Sequence, residues 1–159
     1  LAIGRRGTPR KLEVPGEESD KVTYRLLEPE RWAGQRVLVV GGGNSAVEAA
    51  VSLAEAGARA TLSYRGTSFS RVAAANQERL AAARGRHLQV LLESQVTRIE
   101  PAHVWLESTG GARRLDNDQV FVLIGGELPT AFLERIGVRM ALHHGERPAG
   151  ACAPNGGGA

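Results

Sequence analysis

Three small residues at fixed spacing, Gly41, Gly43 and Ala46, form the pattern G-x-G-x-x-A within the stretch VLVVGGGNSAVEAA. Between a strand and a helix, such residues allow a tight turn, let a pyrophosphate approach the backbone, and let the helix pack closely on the strand. The N–H groups of Gly43, Asn44 and Ser45 then point at the phosphates from the positive end of the helix dipole. The pattern predicts dinucleotide binding. The alternative is a glycine turn that serves only to pack the helix on the strand.

Two arginines follow at the place where such a site distinguishes between dinucleotides. NAD and FAD sites usually carry Asp or Glu at the end of the second strand, where it accepts a hydrogen bond from the ribose 2′-OH. Here that strand ends in SYRGTSFSR, which has no carboxylate, and we assign Tyr64, Arg65 and Arg71 to the cofactor site. Because guanidinium groups bind phosphate bidentately, Arg65 and Arg71 favour NADPH over NADH and argue against FAD at this site. Alternatively, both arginines are ordinary surface residues.

The elements that must position these residues follow from hydrophobic periodicity. RVLVV, residues 36–40, is a continuous apolar run typical of a strand buried on both faces of a parallel sheet. Good helix formers over 45–56 predict a helix, and Gly57 is placed to cap its C-terminus. Residues 59–64 alternate like a second strand. Strand, glycine turn, helix and strand together form a βαβ unit.

The rest of the chain adds shorter elements. Periodicity predicts helices over 74–83 and 130–136, strands over 87–92, 95–100, 103–108 and 119–124, and a hairpin turn at 109–111. Residues 1–34 carry turn chemistry without a strong helix or strand repeat. We therefore predict an α/β fold, a Rossmann-like βαβ parallel sheet with an added antiparallel β-meander.

Composition argues against several other classes of protein. A chain of 159 residues with 42% hydrophobic residues can bury one core, and it has no 18-residue apolar run that would span a membrane. Its single cysteine, Cys152, excludes an internal disulfide or a CxxC pair. Because the basic residues are scattered and only 4% of residues are aromatic, we expect no nucleic-acid function. His143 and His144 have no partner at metal-ligand spacing, so we expect no metal site, and the expected compartment is the cytoplasm.

Three longer stretches carry a resemblance to a known family. LAIGRRGTPRKLEVPGEE, VLVVGGGNSAVEAAVSLAEAGARATLSYR and VFVLIGGELPT resemble the two-dinucleotide-domain flavoproteins similar to thioredoxin reductase. The chain is most similar to branches without the redox-active CxxC, the ferredoxin–NADP reductase-like and bacillithiol disulfide reductase-like groups. The resemblance implies a domain that positions NADPH for hydride transfer to FAD. It also implies that Glu48 lies near the nicotinamide and that Gly125 lets the ligand pack on the last strand. Otherwise Glu48 is an exposed helix carboxylate and Gly125 merely ends a strand.

The resemblance also implies domain boundaries, because in this family the NADPH domain is inserted into the FAD domain. Residues 1–33 would be the remnant of one FAD-domain half and the hinge crossing. Residues 34–126 would be the NADPH-binding domain, and 127–140 the return crossing. Beyond these, 141–159 has no periodicity and is rich in Gly, Pro and Ala, which predicts a disordered tail.

Three features of the family are missing from the sequence. The first GxGxxG, which binds the FAD pyrophosphate, is absent, as is the Gly-Asp segment expected after Met140, and residues 22–34 contain no CxxC. We therefore expect a truncated NADPH half of a larger flavoenzyme, inactive alone, with FAD bound only in the full-length parent. The parent's redox partner would be a ferredoxin, a flavodoxin or a low-molecular-weight disulfide, and a homodimer through the FAD domain stays open. The alternatives are a stand-alone NADP(H)-binding or sensing module without redox turnover, or a gene remnant that folds only partly.

Overall fold

The structure, a computed structural model, describes residues 9–85 and 87–126, which fall within one compact unit. In chain order its strands and α-helices are β1 (Val22–Thr23), β2 (Arg36–Val40), α1 (Asn44–Glu55), β3 (Arg59–Ser63), α2 (Ala74–Ala83), β4 (Leu88–Leu91), β5 (Ser94–Glu100), β6 (His103–Ser108), β7 (Gly111–Asp116) and β8 (Gln119–Val122). A 3-10 helix, Pro29–Trp32, precedes β2.

These strands form two sheets. A five-stranded parallel sheet has the order β1-β8-β2-β3-β4, and a three-stranded antiparallel sheet has the order β5-β6-β7. β2 lies at the centre of the parallel sheet, and the chain passes from β2 through α1 to β3, which pairs with β2 on one side. The predicted fold class, a βαβ parallel sheet with an added antiparallel meander, is confirmed.

The side chains of β2 explain how the layers stack. Val37 and Val39 are buried in one apolar cluster with residues of α1, whereas Leu38 and Val40 are buried in a second cluster with residues of β5 and β6. Successive residues of a strand face opposite sides of the sheet. The apolar run RVLVV can therefore support helices on one face of the parallel sheet and the antiparallel sheet on the other.

The predictions for the βαβ unit are confirmed to within one residue. β2 has the predicted bounds, α1 runs from Asn44 to Glu55 instead of 45–56, and β3 ends at Ser63 instead of residue 64. Gly57 follows the end of α1 with a φ of +90°, the left-handed conformation that a glycine adopts readily after a helix. Further along, α2 and β6 also have the predicted bounds.

Other predictions need correction. Two strands are additional: β1 lies in the segment where no strand pattern is evident, and β7 follows the turn predicted at 109–111. β8 ends at Val122 instead of residue 124, and β4 pairs with β3 at the edge of the parallel sheet. The predicted helix over 130–136, the return crossing over 127–140 and the tail over 141–159 lie outside the described residues.

Two charged side chains, Arg36 and Lys21, fix the turn between β7 and β8. Arg36 donates from its backbone and side chain to Asp118, with distances from 2.6 to 3.1 Å, and these bonds lower the pKa of Asp118 to about 2. Lys21 is buried and donates from Nζ to three carbonyl oxygens, the shortest contact being 3.2 Å to Asn117. Burial lowers the pKa of Lys21. Asp118 therefore has a structural role at this turn, and Asp116 on the other side of Asn117 also lies near Arg36, at 3.5 Å from Nη1.

Candidate nucleotide-binding site

The turn between β2 and α1 has the geometry that its small residues predict. Gly41 has a φ of +153°, and a Cβ atom there would lie 2.8 Å from the Cβ of Ala46 and in contact with the carbonyl oxygen of Leu123. Ala46 is fully buried. Because no side chain fits at residue 41 and only a small one fits at residue 46, α1 starts directly against the carboxyl end of β2.

The first turn of α1 opens onto free space. A Cβ atom at Gly43 would meet nothing within 4 Å. Gly43, Asn44 and Ser45 are exposed, and within the described residues their N–H groups have no hydrogen-bond acceptor. Three unpaired donors at the positive end of a 12-residue helix form a favourable environment for an anion. The geometry fits the predicted pyrophosphate position.

Gly42, the middle residue of the glycine run, has a different role that its pattern does not reveal. A Cβ atom there would overlap the ring of Tyr64, and one at Gly66 would lie 2.6 Å from the other edge of the same ring. The ring also stacks on Phe69, with centroids 5.2 Å apart and planes inclined by 22°. Tyr64 therefore fills a slot between two glycines and attaches the segment after β3 to the glycine turn.

The two arginines lie on that segment, which we call the arginine loop (residues 64–73). Both Arg65 and Arg71 are exposed, and neither forms an ion pair with another residue of the described chain. Loop residues between and beside them are anchored, since Val72 is buried and Phe69 packs against the helical core. The backbone of the loop thus holds both guanidinium groups at the surface beside the carboxyl end of β3.

Arg65 has acidic side chains in its surroundings. Arg65 lines a concavity of about 210 Å³ together with Glu93, the residue before β5, and residues of β5 and β6 that include Glu107. Two hydrogen bonds fix this region, from Ser94 N to the carbonyl oxygen of Tyr64 and from Glu93 N to that of Gly66, both 3.1 Å long. Carboxylates beside Arg65 offset part of its positive potential.

Asn44 and Glu48 are brought together by a residue that the sequence analysis did not select. The Nδ2 atom of Asn76 in α2 donates to Asn44 Oδ1 at 3.2 Å and to Glu48 Oε1 at 2.7 Å. Asn44 Oδ1 also accepts from the backbone N–H of Ala73 at 2.8 Å. Asn44 Oδ1 is therefore engaged within the protein, while the backbone N–H of Asn44 faces the open turn and is available to a phosphate. Nothing local in the sequence marks Asn76, because its partners are 28 and 32 residues away.

Gly125 lies just past the end of β8, beside the glycine turn. Its φ is +95°, and a Cβ atom there would meet nothing within 4 Å. Its carbonyl oxygen accepts a hydrogen bond from Arg10 N at 3.1 Å, and Gly126 forms a bridge with Pro9. The backbone conformation explains a glycine here, and the open space above it leaves room for a ligand.

A larger concavity than the one beside Arg65 lies elsewhere in the described residues. It measures about 700 Å³ and lies at the amino-terminal halves of β3 and β4, where it is lined by Arg59, Arg84 and His87 among others. In open parallel sheets, ligands bind outside the carboxyl ends of the strands. We therefore assign the candidate site to the smaller features around the glycine turn.

Two other kinds of feature are absent from residues 9–85 and 87–126, a membrane-spanning helix and a cluster of metal ligands. Neither α-helix in this part of the chain is long and apolar enough to cross a bilayer. The same residues hold no group of three or more His, Cys, Asp or Glu side chains arranged to bind a metal ion. His143, His144 and Cys152 lie outside the described residues.

Comparison with known proteins agrees with the fold and with the resemblance seen in the sequence. Residues 1–149 match the family model described as pyridine nucleotide-disulphide oxidoreductase. The ferredoxin–NADP reductase of Ignicoccus hospitalis is 35% identical over 147 residues, covering 88% of this chain and 47% of that protein. The bacilliredoxin reductase Bdr of Bacillus subtilis is 33% identical over 145 residues, covering 88% of this chain and 44% of that protein.

Solved structures give the same picture. The bacillithiol disulfide reductase Bdr (YpdA) from Bacillus cereus superposes with a TM-score of 0.78 at 32% identity, covering 84% of this chain and 42% of that one. Thioredoxin reductase from Lactococcus lactis superposes with a TM-score of 0.72 at 26% identity, with coverages of 83% and 46%. The chain spans about half the length of the curated relatives it matches.

Proposed function

The chain belongs to the pyridine nucleotide-disulphide oxidoreductase family, and we propose that it forms the NADPH-binding domain of a flavin-dependent oxidoreductase. The domain comprises residues 34–126. Residues 1–33 and 127–140 are the crossings to a FAD-binding part, and catalysis requires that part. The names of the relatives, ferredoxin–NADP reductase and bacillithiol disulfide reductase, support a pyridine-nucleotide substrate and a ferredoxin or low-molecular-weight disulfide as redox partner. A flavodoxin is the third candidate partner.

The observation that carries this proposal is the pairing of an open helix N-terminus with two exposed arginines. The N–H groups of Gly43, Asn44 and Ser45 bind the pyrophosphate, and the dipole of α1 favours its negative charge. The arginine loop follows β3, the strand next to β2, and contains no Asp or Glu. Its guanidinium groups therefore bind the 2′-phosphate that distinguishes NADPH from NADH.

The remaining candidate residues orient the ligand. Tyr64 holds the arginine loop against the glycine turn, so that the sites for pyrophosphate and 2′-phosphate have a fixed separation. Glu48 lies one turn into α1, and the family resemblance assigns it to the nicotinamide. Gly125 leaves room for the ligand above β8. When bound, NADPH supplies a hydride and the flavin of the full enzyme accepts it. The chain's own residues bind and orient the dinucleotide.

A calorimetric titration of the purified chain with NADPH, NADH and FAD in parallel tests this proposal. We expect one NADPH per chain, bound at least about tenfold more tightly than NADH, because the 2′-phosphate adds one or more charge-assisted contacts. FAD should not be taken up. NADH serves as the matched control ligand, since it lacks only the 2′-phosphate. If circular dichroism shows a folded chain that binds no nucleotide, the glycine turn is structural and the proposal is wrong.

A further inference from the structure

The glycine turn and the arginine loop are joined by three side chains, which we call the Asn44–Asn76–Glu48 bridge. Asn76 lies in the first turn of α2 and uses Nδ2 to donate to both of its partners on α1. An amide nitrogen carries two N–H groups, so both donors of Asn76 are occupied. The orientation of the Asn76 side chain is thus fixed by contacts at the N-terminal end of α1.

This bridge also fixes the end of the arginine loop. Ala73 is the residue before α2, and its N–H donates to the same Asn44 oxygen that accepts from Asn76. Arg71 is two residues earlier in the chain. A single oxygen on the first residue of α1 therefore holds both the end of the arginine loop and the start of α2.

We infer that Asn76 is a positioning residue for NADPH selection, acting through Asn44 and Ala73 on Arg71. This inference rests on the proposed function. In NADPH the distance between the pyrophosphate and the 2′-phosphate is set by one ribose, so the protein groups that bind them must be held at a matching distance. Small misplacements of binding groups cause large losses of affinity. Asn76 donates both hydrogen bonds within the bridge, and the Asn44 oxygen that accepts one of them also accepts from Ala73 at the end of the loop that carries Arg71.

The competing explanation is that Asn76 only docks α2 on α1. The structure offers a matched control, because Arg79 of α2 forms an ion pair with Glu55 of α1 at 3.2 Å. Arg79 joins the same two helices near the opposite end of α1, away from the glycine turn. Arg79→Ala should therefore loosen helix docking without moving the arginine loop.

The experiment compares the wild-type chain with Asn76→Ala, Asn76→Leu and Arg79→Ala. Leucine keeps the size of asparagine without its donors, so it serves if alanine fails to fold, and circular dichroism checks each variant. Dissociation constants are measured by calorimetry for NADPH, NADH and 2′,5′-ADP. The last probe carries the 2′-phosphate but no nicotinamide, and it therefore separates effects at Arg71 from effects at Glu48.

We expect either Asn76 variant to lower the NADPH-to-NADH preference by about five- to tenfold, the size expected for one or two hydrogen bonds. The affinity for 2′,5′-ADP should fall by a similar factor, while Arg79→Ala leaves both quantities within about twofold. The inference is overturned if the Asn76 variants keep the wild-type preference, or if Arg79→Ala lowers it equally. A wild-type chain without NADPH preference would overturn the proposed function itself, and this inference with it.

Discussion

At the residue scale, Arg65 and Arg71 have the same charge but different surroundings. Neither forms an ion pair within the described chain, but Arg65 shares a concavity with Glu93 and Glu107, which Arg71 does not line. A guanidinium beside carboxylates has part of its potential cancelled before any ligand arrives. The two arginines are therefore expected to contribute unequally to binding of a 2′-phosphate, with Arg71 contributing more.

Single alanine substitutions measure this difference. Arg71→Ala should weaken NADPH binding by about ten- to hundredfold, which corresponds to the loss of a charge-assisted hydrogen bond of about 1.5–3 kcal/mol. Arg65→Ala should act in the same direction, at the lower end of that range, and neither should change NADH binding. Isothermal titration calorimetry gives both constants.

Arg59→Ala is the matched control for these variants. Arg59 is exposed at the opposite end of β3, so its removal changes the net charge equally without touching the arginine loop. Should Arg59→Ala weaken NADPH as much as Arg71→Ala, the loss would come from overall charge or from binding in the concavity that Arg59 lines, and the assignment of the 2′-phosphate to the arginine loop would be wrong. Equal losses for NADH and NADPH would show that the arginines do not bind a 2′-phosphate.

At the element scale, Gly42 and Gly43 are neighbours in the same turn with separable roles. A side chain at residue 42 would overlap the Tyr64 ring, which Gly66 and Phe69 hold in place, whereas one at residue 43 would project into open space. We expect Gly42→Ala to lower the free energy of unfolding by about 1–3 kcal/mol, as overpacking does. Gly43→Ala should cost less than about 1 kcal/mol of stability, since it alters only the residue before the helix.

For nucleotide affinity, in contrast to stability, the substitution that matters is the one at residue 43. Gly43→Ala places a methyl group where the pyrophosphate approaches the backbone, so it should weaken NADPH and NADH alike while the chain stays folded. Urea denaturation and calorimetry on both variants provide the two measurements. A Gly43→Ala chain that binds both nucleotides like the wild type would show that no phosphate approaches this turn.

Local pattern was sufficient to predict the elements that carry the site. β2 follows from an apolar run, α1 from a run of good helix formers ended by a capping glycine, and β3 from an alternating pattern. All three lie within residues 36–63. β7 was not predicted, because GARRLD leaves nearly every side chain exposed and so lacks an alternating pattern. β1 has two residues and exists only through its pairing with β8, about a hundred residues later in the chain.

The same limit applies to the candidate site. The glycine spacing and the arginine loop are visible in the sequence because each is contiguous. The Tyr64 slot and the Asn44–Asn76–Glu48 bridge depend on which segments the sheet order brings together. In the sequence, nothing distinguishes Gly42, which packs against the Tyr64 ring, from the other glycines of the G-G-G run. Nothing distinguishes Asn76 from other polar residues of a surface helix.

At the scale of the whole molecule, the two ends of the parallel sheet compete as places for a ligand. The amino-terminal halves of β3 and β4 carry the larger concavity, with Arg59, Arg84 and His87 in its lining. The carboxyl ends carry the glycine turn, the arginine loop and the free N-terminus of α1. The size of the concavity favours the amino-terminal end of the sheet as the ligand site. The dipole of α1 and the topology of the sheet favour the carboxyl end.

Hydrogen exchange over the full chain distinguishes these two places without any substitution. With saturating NADPH we expect slower amide exchange in residues 41–48 and 64–76, because bound phosphates occupy free N–H groups and hold the arginine loop. NADH should protect the glycine turn but leave the arginine loop close to its unliganded rate, since it has no 2′-phosphate to bind there. The antiparallel strands β5 to β7 serve as the internal reference. Protection confined to residues 84–90 would instead place the nucleotide in the concavity at the amino-terminal end, and the assignment to the glycine turn would be wrong.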